Sequence, residues 1–484
     1  MSMPDPVAPP PLYTSREPVF PRHVRGRFRQ LKWGLMAVML GVYYLLPWIR
    51  WDRGPALPDQ AVLVDLANRR FFFFMIEIWP HEFYFVAGLL IMAGLGLFLF
   101  TAAMGRVWCG YACPQTVWTD LFMHVERWVE GDRNAQIRLL RAPWGAEKIR
   151  KRALKWALWL VIALGTGGAW VFYFADAPTL MRDLVTGQAA LVAYLTMAFL
   201  TATTFFFGGF AREQICIYAC PWPRIQAAMM DEDTLTIGYR DWRGEPRGKL
   251  KKGVKLDAAQ GDCIDCNACV AVCPMGIDIR NGQQMECITC GLCIDACNEI
   301  MDKTDQPRGL IGYMALRDEE REKRGEARVS PWRHIFRLRT IIYFLLWGGI
   351  GVGLVVALLM RSPIEFNVTP SRSPLYVTQP DGTIRNIYTL RLRNKDHAPT
   401  AYVISVAGPD GQPVEGLVAS VEGHAGGVVE VAPDATLSAR LYLEAARGTA
   451  LAQAKRSDVV LRVSQRDGAG SVTEQTVFNG AGQQ

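Results

Sequence analysis

Two runs of cysteines in the middle of the chain have spacings that could hold iron. The first run consists of Cys263, Cys266, Cys269 and Cys273, and the second of Cys287, Cys290, Cys293 and Cys297. In the C-x2-C-x2-C-x3-C pattern, three thiolates on one tight turn bind one cubane, and the fourth cysteine binds the cubane of the other run. The spacing therefore predicts two [4Fe-4S] clusters. We assign one to Cys263, Cys266, Cys269 and Cys297, and the other to Cys287, Cys290, Cys293 and Cys273.

A structural zinc site is the alternative interpretation of such a segment. Zinc ligands usually come as cysteine pairs on separate knuckles, whereas this chain repeats a run of closely spaced cysteines. The duplication favours clusters, so electron transfer is the first hypothesis. One residue departs from the pattern, because Asn298 follows Cys297 where the bacterial pattern has a proline, as Pro274 follows Cys273. We expect this asparagine to open that cluster to polar contacts.

A second cysteine system is a repeated hexapeptide outside those runs. It reads CGYACP from Cys109 to Pro114 and CIYACP from Cys216 to Pro221. Cysteines four residues apart lie on one face of a helix, and the proline interrupts the helix just past the second sulfur. Both copies also have an arginine before them and a methionine at a matching distance after them, namely Arg106, Arg212, Met123 and Met230. The repeat predicts that helices one and two and helices three and four are duplicated units around a shared site.

Soft thiolate and thioether ligands select Cu(I), zinc or iron-sulfur clusters. We therefore predict that the repeated cysteines bind metal, with copper as the hypothesis, and act as the catalytic residues: Cys109, Cys113, Cys216 and Cys220. A single C-x3-C pair would be interpreted as packing cysteines, but the repetition favours metal or redox chemistry. We interpret Met123, Met230 and His124 as packing or interfacial residues rather than ligands.

The composition indicates a membrane protein. The chain has 484 residues, of which 50% are hydrophobic and 20% charged. Runs close to the ~20 apolar residues that a membrane helix needs are Trp33–Ile49, Phe83–Met104, Trp156–Ala175, Ala189–Phe210 and Ile341–Met360. The run Phe71–Phe74 is too short to span, and we expect it at the membrane interface.

The basic residues predict the orientation of these spans. A basic segment precedes the first span and no cleavage site follows it, so we expect an uncleaved anchor with a disordered cytoplasmic N-terminus over 1–32. Five crossings place 105–155 and 211–340 in the cytoplasm, in agreement with their lysines and arginines, and the C-terminal region on the outer side of the membrane. We interpret the net charge of +7 as topology rather than nucleic-acid binding, because no nucleic-acid motif accompanies it.

The predicted fold class is multidomain. A four-helix membrane domain with both CxxxCP motifs covers 33–220, a ferredoxin-like domain with two clusters covers 221–340, and a fifth transmembrane helix covers 341–360. The region 361–484 contains short alternating segments at Ile387–Leu392, Tyr402–Val406, Val428–Val431, Leu437–Leu443, Val459–Val463 and Ser471–Phe478. They predict an all-β immunoglobulin-like sandwich. This region lacks cysteine and methionine, which favours protein docking over copper carriage.

The chain closely resembles the CcoG family, also called FixG or RdxA. The resemblance rests on the two CxxxCP motifs, the two cysteine runs with CPMGIDIR from Cys273, the further membrane helix and the C-terminal sandwich. The resemblance covers nearly the whole chain. It implies an accessory protein for assembly of the cbb3-type cytochrome c oxidase that reduces Cu(II) to Cu(I). It also implies cluster ligation by the eight cysteines from Cys263 to Cys297, and copper handling by Cys109, Cys113, Cys216 and Cys220.

The expected partners are copper ion, oxidase subunits or copper-delivery proteins, the membrane and an unknown cytoplasmic electron donor. No glycine fingerprint for a nucleotide follows a strand, so we expect no internal NAD or flavin. Two alternatives remain open, a quinol-linked respiratory electron-transfer subunit and a non-enzymatic assembly scaffold. Copper reduction requires the cluster domain to lie near Cys109 and Cys216, and the sequence does not show that it does.

Overall fold

A computed structural model describes residues 18–54, 57–249, 260–361, 364–395, 398–424, 427–433, 435–466, 468 and 470–482. Its contacts divide the chain into two units, one formed by Met1–Trp51 with Gln60–Leu354 and the other by Asp52–Asp59 with Val355–Gln484. In chain order the α-helices are α1 (Arg27–Leu45), α2 (Tyr84–Met104), α3 (Val107–Tyr111), α4 (Pro114–Glu130), α5 (Arg133–Arg141), α6 (Ala146–Val171), α7 (Ala177–Thr186), α8 (Leu191–Phe206), α9 (Arg212–Gln214), α10 (Trp222–Met229), α11 (Asp241–Gly244), α12 (Ala268–Val272), α13 (Leu292–Lys303), α14 (Leu316–Lys323), α15 (Pro331–Ile335), α16 (Leu338–Leu359) and α17 (Ala450–Gln453).

Among the described residues, five helical segments are long and apolar enough to cross a membrane. They are Arg27–Trp48, Tyr84–Met104, Ala146–Val171, Leu191–Ala219 and Leu338–Leu359, and each overlaps one predicted span. The third begins well before the predicted Trp156, because its first turns carry charges that a search for apolar runs does not recognise. The fourth continues past Phe210 through π-helical segments at Phe207–Ala211 and Ile215–Ala219.

The predicted disorder of 1–32 is wrong for residues 18–32, and residues 1–17 lie outside the described residues. Phe20 and Val24 are buried, and the Arg22 amide donates to the Ala271 carbonyl at 2.7 Å. α1 begins at Arg27, and the Asp295 carboxylate accepts from the Arg29 amide in its first turn at 2.9 Å. The segment is ordered because it packs against the cysteine-rich region.

Short sheets complete the first unit. β1 (Val62–Asp65), β2 (Arg70–Phe73) and β3 (Ile76–Ile78) form an antiparallel sheet in that order. The run Phe71–Phe74 thus belongs largely to a strand, in which Phe72 is buried. β4 (Thr236–Tyr239) pairs antiparallel with β5 (Ile311–Met314) and flanks the cysteine-rich segment.

The second unit is a two-sheet antiparallel sandwich, as predicted. Its strands are β6 (Ile364–Pro370), β7 (Val377–Thr378), β8 (Ile384–Asn394), β9 (Thr400–Ala407), β10 (Leu417–Val421), β11 (Val428–Val431), β12 (Thr436–Ala445), β13 (Ser457–Gln465) and β14 (Ser471–Phe478). One sheet has the order β10-β12-β8-β6, with β7 also paired to β8, and the other has the order β11-β9-β13-β14. Alternate residues such as Leu390, Leu392 and Leu461 are fully buried between the sheets, as expected for a sandwich core.

A buried ion network joins α4, α6 and the segment before the second hexapeptide. Lys155 Nζ lies 3.0 Å from Glu126 Oε1 and 2.9 Å from Glu130 Oε1. The Arg212 guanidinium lies 2.8 Å from the other oxygen of Glu126. Burial alone would raise the pKa of Glu126, but the charges of Arg212 and Lys155 hold it below its usual value. The network compensates charges that would otherwise be costly to bury.

Replacing Lys155 should destabilise this unit strongly. Lys155→Met leaves two buried carboxylates with less compensation, which costs about 3–5 kcal/mol. The measurement is the thermal unfolding midpoint of the full chain in detergent. Lys151→Met is the matched control, because Lys151 pairs with exposed Glu147 on the same helix and should change the midpoint little. Equal midpoints for the two variants would contradict the expected difference.

Candidate iron-sulfur and membrane-cysteine site

The structure brings the eight clustered cysteines together in the crossed arrangement that the spacing predicts. One cavity is lined by Cys263, Cys266, Cys269 and Cys297. A second is lined by Cys273, Cys287, Cys290 and Cys293, and Cys269 also reaches its wall. The fourth cysteine of each run thus joins the cavity of the other run.

The two cysteine loops repeat an unusual backbone conformation. The residue before the second cysteine and the residue after it have positive φ in both loops, at 51° and 55° for Asp265 and Asn267 and at 55° and 74° for Thr289 and Gly291. Turns of this kind direct backbone N–H groups into a concave site, as in many iron-sulfur proteins. Two matching loops around cavities lined by thiols therefore fit a pair of clusters.

Burial changes the protonation of these thiols. It raises the pKa of Cys273 and of Cys297 to about 12, and that of Cys293 well above its usual value. These three thiols are therefore protonated at neutral pH when no iron is bound, and iron must displace their protons when it binds. Cys266 is exposed, whereas Cys263 and Cys269 of the same cavity are buried, so the first cavity reaches the protein surface.

Asn298 has a structural role that the sequence pattern did not predict. Its side-chain oxygen accepts from the Gly309 amide at 2.9 Å. α13 continues through this position to Lys303, whereas α12 ends before Cys273 and Pro274. A proline in place of Asn298 would disrupt this helix. The prediction that Asn298 opens the cluster to polar contacts stays a prediction.

The helices break at the second cysteine of each hexapeptide, as predicted. Cys113 is extended and precedes α4, which begins with Pro114. Cys220 is extended after the π-helical segment that holds Cys216, and Pro221 precedes α10. The second copy thus has a π-helical backbone around its first cysteine. Segments of this kind are often found at functional sites.

The two arginines before the hexapeptides are not structural equivalents. When Cys109 is aligned with Cys216, Gly105 corresponds to Arg212, and both have an unusual positive φ, of 60° and 38°. Arg212 is held there by its side chain, which donates to the Gly209 carbonyl and to Glu126, both at 2.8 Å. The repeat therefore preserves the shape of the turn while its side chains differ.

The four membrane-proximal cysteines lie near one another. Cys216 interacts electrostatically with Cys113, Cys109 and Cys220, and the Cys109 thiol donates to Gln226 Oε1 at 3.2 Å. In the described part of the chain, no three His, Cys, Asp or Glu side chains are close enough to share one metal ion. The thiols are thus gathered without forming a ready three-ligand site. A cubane separates its thiolates over several corners, so this finding does not bear on the two cavities.

The residues that we interpreted as packing or interfacial are also placed. Met123 is buried and lines a cavity together with Cys216. Met230 lines a different cavity together with Arg106. The His124 ring packs edge-on against Trp33, with the ring centroids 5.5 Å apart.

The loop of the second cavity is in direct contact with the first hexapeptide, which sequence reasoning did not show. The Arg106 amide donates to Thr289 Oγ1 at 3.1 Å, and the Tyr111 hydroxyl donates to the Cys290 carbonyl at 2.9 Å. A Cβ added to Gly110 would lie 2.5 Å from the Ile288 carbonyl oxygen and 3.1 Å from the Cys290 Cα. The two backbones therefore meet with no room for a side chain.

The second hexapeptide borders the same region. Cys216 lines a cavity with Pro274, Met275 and Ile288 from the cysteine-rich segment. Cys109 and Cys216 both pack against a buried cluster that contains Cys290. Both hexapeptides thus border the second cysteine cavity.

These features define the class of the protein, an iron-sulfur redox protein with apolar helices suited to a membrane. Family models match residues 211–316 as a 4Fe-4S dicluster domain, 85–133 as a 4Fe-4S binding domain and 354–481 as an IG-like fold at the C-terminal of FixG. The match over 85–133 includes Cys109 and Cys113.

Whole-length relatives identify the family. The chain is 67% identical to protein RdxB of Cereibacter sphaeroides over 97% of this chain and 98% of that protein. It is 61% identical to protein RdxA of the same organism, over 95% and 96%, and 52% identical to the nitrogen fixation protein FixG of Rhizobium meliloti, over 90% and 88%. The chain therefore belongs to the CcoG/FixG/RdxA family. Among solved structures, a FixG-related protein from Vibrio parahaemolyticus matches 25% of this chain and 99% of its own at 16% identity, with a TM-score of 0.21.

Filling the contact at Gly110 should separate the cysteine loop from the hexapeptide. In Gly110→Ala the added methyl group meets the Ile288 carbonyl, so we expect faster amide hydrogen exchange at Ile288–Cys290. Gly94→Ala is the matched control, because a Cβ at Gly94 meets nothing within 4 Å. Equal exchange in the two variants would show that the contact does not hold the loop.

Proposed function

We propose that this protein is an iron-sulfur electron-transfer protein that reduces Cu(II) to Cu(I) during assembly of the cbb3-type cytochrome c oxidase. The observation that carries the proposal is the contact of the Ile288–Cys290 backbone with Gly110, which joins the predicted cluster loop to the hexapeptide of Cys109. Family membership supports the link to the oxidase, because the resemblance implies that role.

The proposed cluster ligands are Cys263, Cys266, Cys269 and Cys297 for one [4Fe-4S] cluster and Cys287, Cys290, Cys293 and Cys273 for the other. When bound, the clusters would carry single electrons from a cytoplasmic donor to the hexapeptide cysteines. The chain contributes the matching positive-φ turns, which form concave backbone sites of the kind that hold such clusters, and it leaves only Cys266 of the eight cysteines exposed.

The proposed copper residues are Cys109, Cys113, Cys216 and Cys220, with copper as the substrate rather than a resident cofactor. One electron converts each Cu(II) to Cu(I), and soft thiolates favour the product. Gln226 orients Cys109 by accepting a hydrogen bond from its thiol. Since these thiols form no ready three-ligand site, copper is expected to be held by few ligands and released to a delivery protein.

The proposed orientation follows the positive-inside rule. The domain over 221–340 and the N-terminus are in the cytoplasm, where the unknown electron donor docks. The domain over 361–484 is in the periplasm, and we propose that it docks to oxidase subunits or copper-delivery proteins. The helices over 33–220 and 341–360 lie in the bacterial inner membrane.

Single cysteine variants test the crossed ligand assignment. Because Cys297 lines the cavity of Cys266, Cys297→Ser and Cys266→Ser should alter the same electron paramagnetic resonance signal of the reduced protein. Cys273→Ser and Cys287→Ser should alter the other signal. Cys220→Ser, outside both cavities, serves as the control and should preserve both. If Cys297→Ser affected the signal of Cys287→Ser instead, the crossed assignment would be wrong.

Anaerobic stopped-flow measurements test copper reduction. Dithionite-reduced protein, freed of excess dithionite, is mixed with Cu(II) while cluster absorbance and Cu(I) formation are followed. We expect Cu(I) in proportion to the reduced clusters, with a rate at least about tenfold lower in Cys109→Ala/Cys216→Ala because copper loses soft ligands. Tyr218→Phe is the control, since Tyr218 lies between the second pair of cysteines and is exposed.

The other outcomes decide between the alternatives. Clusters that stay reduced with Cu(II) but reoxidise with a soluble quinone would favour the quinol-linked subunit. Clusters that react with neither would favour the assembly scaffold. Iron beyond that of two clusters, lost in the double variant, would assign the hexapeptides to a further cluster.

A further inference from the structure

Arg106 is a buried charge between the first hexapeptide and the second cysteine cavity. Its side chain is 3% exposed. It lines a cavity with Cys287 and Thr289, and its charge acts on the nearby Cys109 thiol. Its guanidinium therefore lies between two groups of sulfurs that the proposed function treats as redox-active.

This charge has no carboxylate partner in the part of the chain that the structure describes. The Arg106 Nε and Nη1 atoms are buried without a hydrogen-bond partner. The buried guanidinium of Arg212, by contrast, is paired with Glu126 at 2.8 Å. Burying an ion without an opposite charge is strongly unfavourable, so a native protein is expected to supply a counter-charge at Arg106.

The sulfurs around Arg106 provide that counter-charge when they bind iron. A [4Fe-4S] cluster with its thiolates is anionic, and one more electron adds one more negative charge. A fixed positive charge in a water-poor site stabilises the form that carries the extra electron. The backbone of Arg106 is held in place, because its amide donates to Thr289 Oγ1 in the cysteine loop.

We propose that Arg106 is a positioning residue that raises the reduction potential of the cluster held by Cys273, Cys287, Cys290 and Cys293, and so holds the electron beside the hexapeptide of Cys109. The proposal deepens the proposed function and rests on its cluster ligands, but not on copper as the substrate. A higher potential at this inner cluster, the one next to the hexapeptide, favours transfer of an electron that enters at the exposed Cys266 side.

The experiment is a potentiometric measurement of both clusters in the detergent-purified full chain, monitored by electron paramagnetic resonance. In Arg106→Gln and in Arg106→Met, we expect the reduced-to-oxidised ratio of the inner cluster at a given potential to fall at least about tenfold. For a one-electron couple this corresponds to about 59 mV. The cluster of Cys266 should shift much less, because it lies farther from Arg106.

Two further variants separate charge from structure. Arg106→Lys keeps the charge and should restore most of the potential. Tyr111→Phe removes a hydrogen bond from the same interface without changing charge and should leave both potentials unchanged. Arg106→Met is included because removing an uncompensated buried charge in favour of an apolar side chain is often tolerated.

Three results would overturn the proposal. Unchanged potentials in Arg106→Gln or Arg106→Met would show that the charge does not act on the cluster. A similar shift in Tyr111→Phe would assign the effect to docking rather than charge. Loss of clusters in both charge-removing variants but not in Arg106→Lys would assign Arg106 to cluster retention. If the potential shifts but Cu(II) is not reduced, the inference stands and the copper function fails.

Discussion

The close contact between the backbone at Gly110 and the backbone at Ile288–Cys290 is the constraint on which the rest of the site depends. Because main chain meets main chain, the distance between the hexapeptide and the cysteine loop is set by van der Waals contact of the backbones rather than by flexible side chains. Only glycine permits this approach. Tyr111 adds a hydrogen bond to the Cys290 carbonyl across this contact. The contact leaves no layer of protein between the two cysteine systems, which the proposed electron transfer between them requires.

Charge is distributed unevenly around that contact. Near the second hexapeptide, Glu126 compensates Lys155 and Arg212, so the network serves packing. Near the first hexapeptide, Arg106 is buried without such a carboxylate among the described residues. The two copies share a backbone turn, with positive φ at Gly105 and Arg212, yet they bury charge in different ways. The two hexapeptides therefore share the shape of the preceding turn but differ in their electrostatics.

The features that could be predicted from the sequence are those fixed by short-range spacing. The cysteine runs predicted both cavities and their crossed membership, because few turns can bring thiols at those intervals together. Alternation predicted six strands of the sandwich, whereas β6, β7 and β10 were missed. The ordered segment around Val24 and the contact at Gly110 were missed for another reason. Val24 packs against the cysteine-rich segment, and Gly110 meets the loop at Ile288–Cys290. Both partner surfaces are distant in sequence, and the residues around Val24 and Gly110 do not indicate which surface each will meet.

The exposure of the cysteines gives the site a direction. Cys266 is exposed, so an external donor can approach the first cavity, while the second lies against the hexapeptide through Cys290 and Tyr111. Cys269 reaches the walls of both cavities, so the two neighbour each other without an intervening layer of protein. The first cavity, the second cavity and the hexapeptide therefore follow one another from the surface inward. This order rests on the exposure of Cys266 and on the backbone contacts of the second cavity, and the three are neighbours without any movement of the cysteine-rich segment.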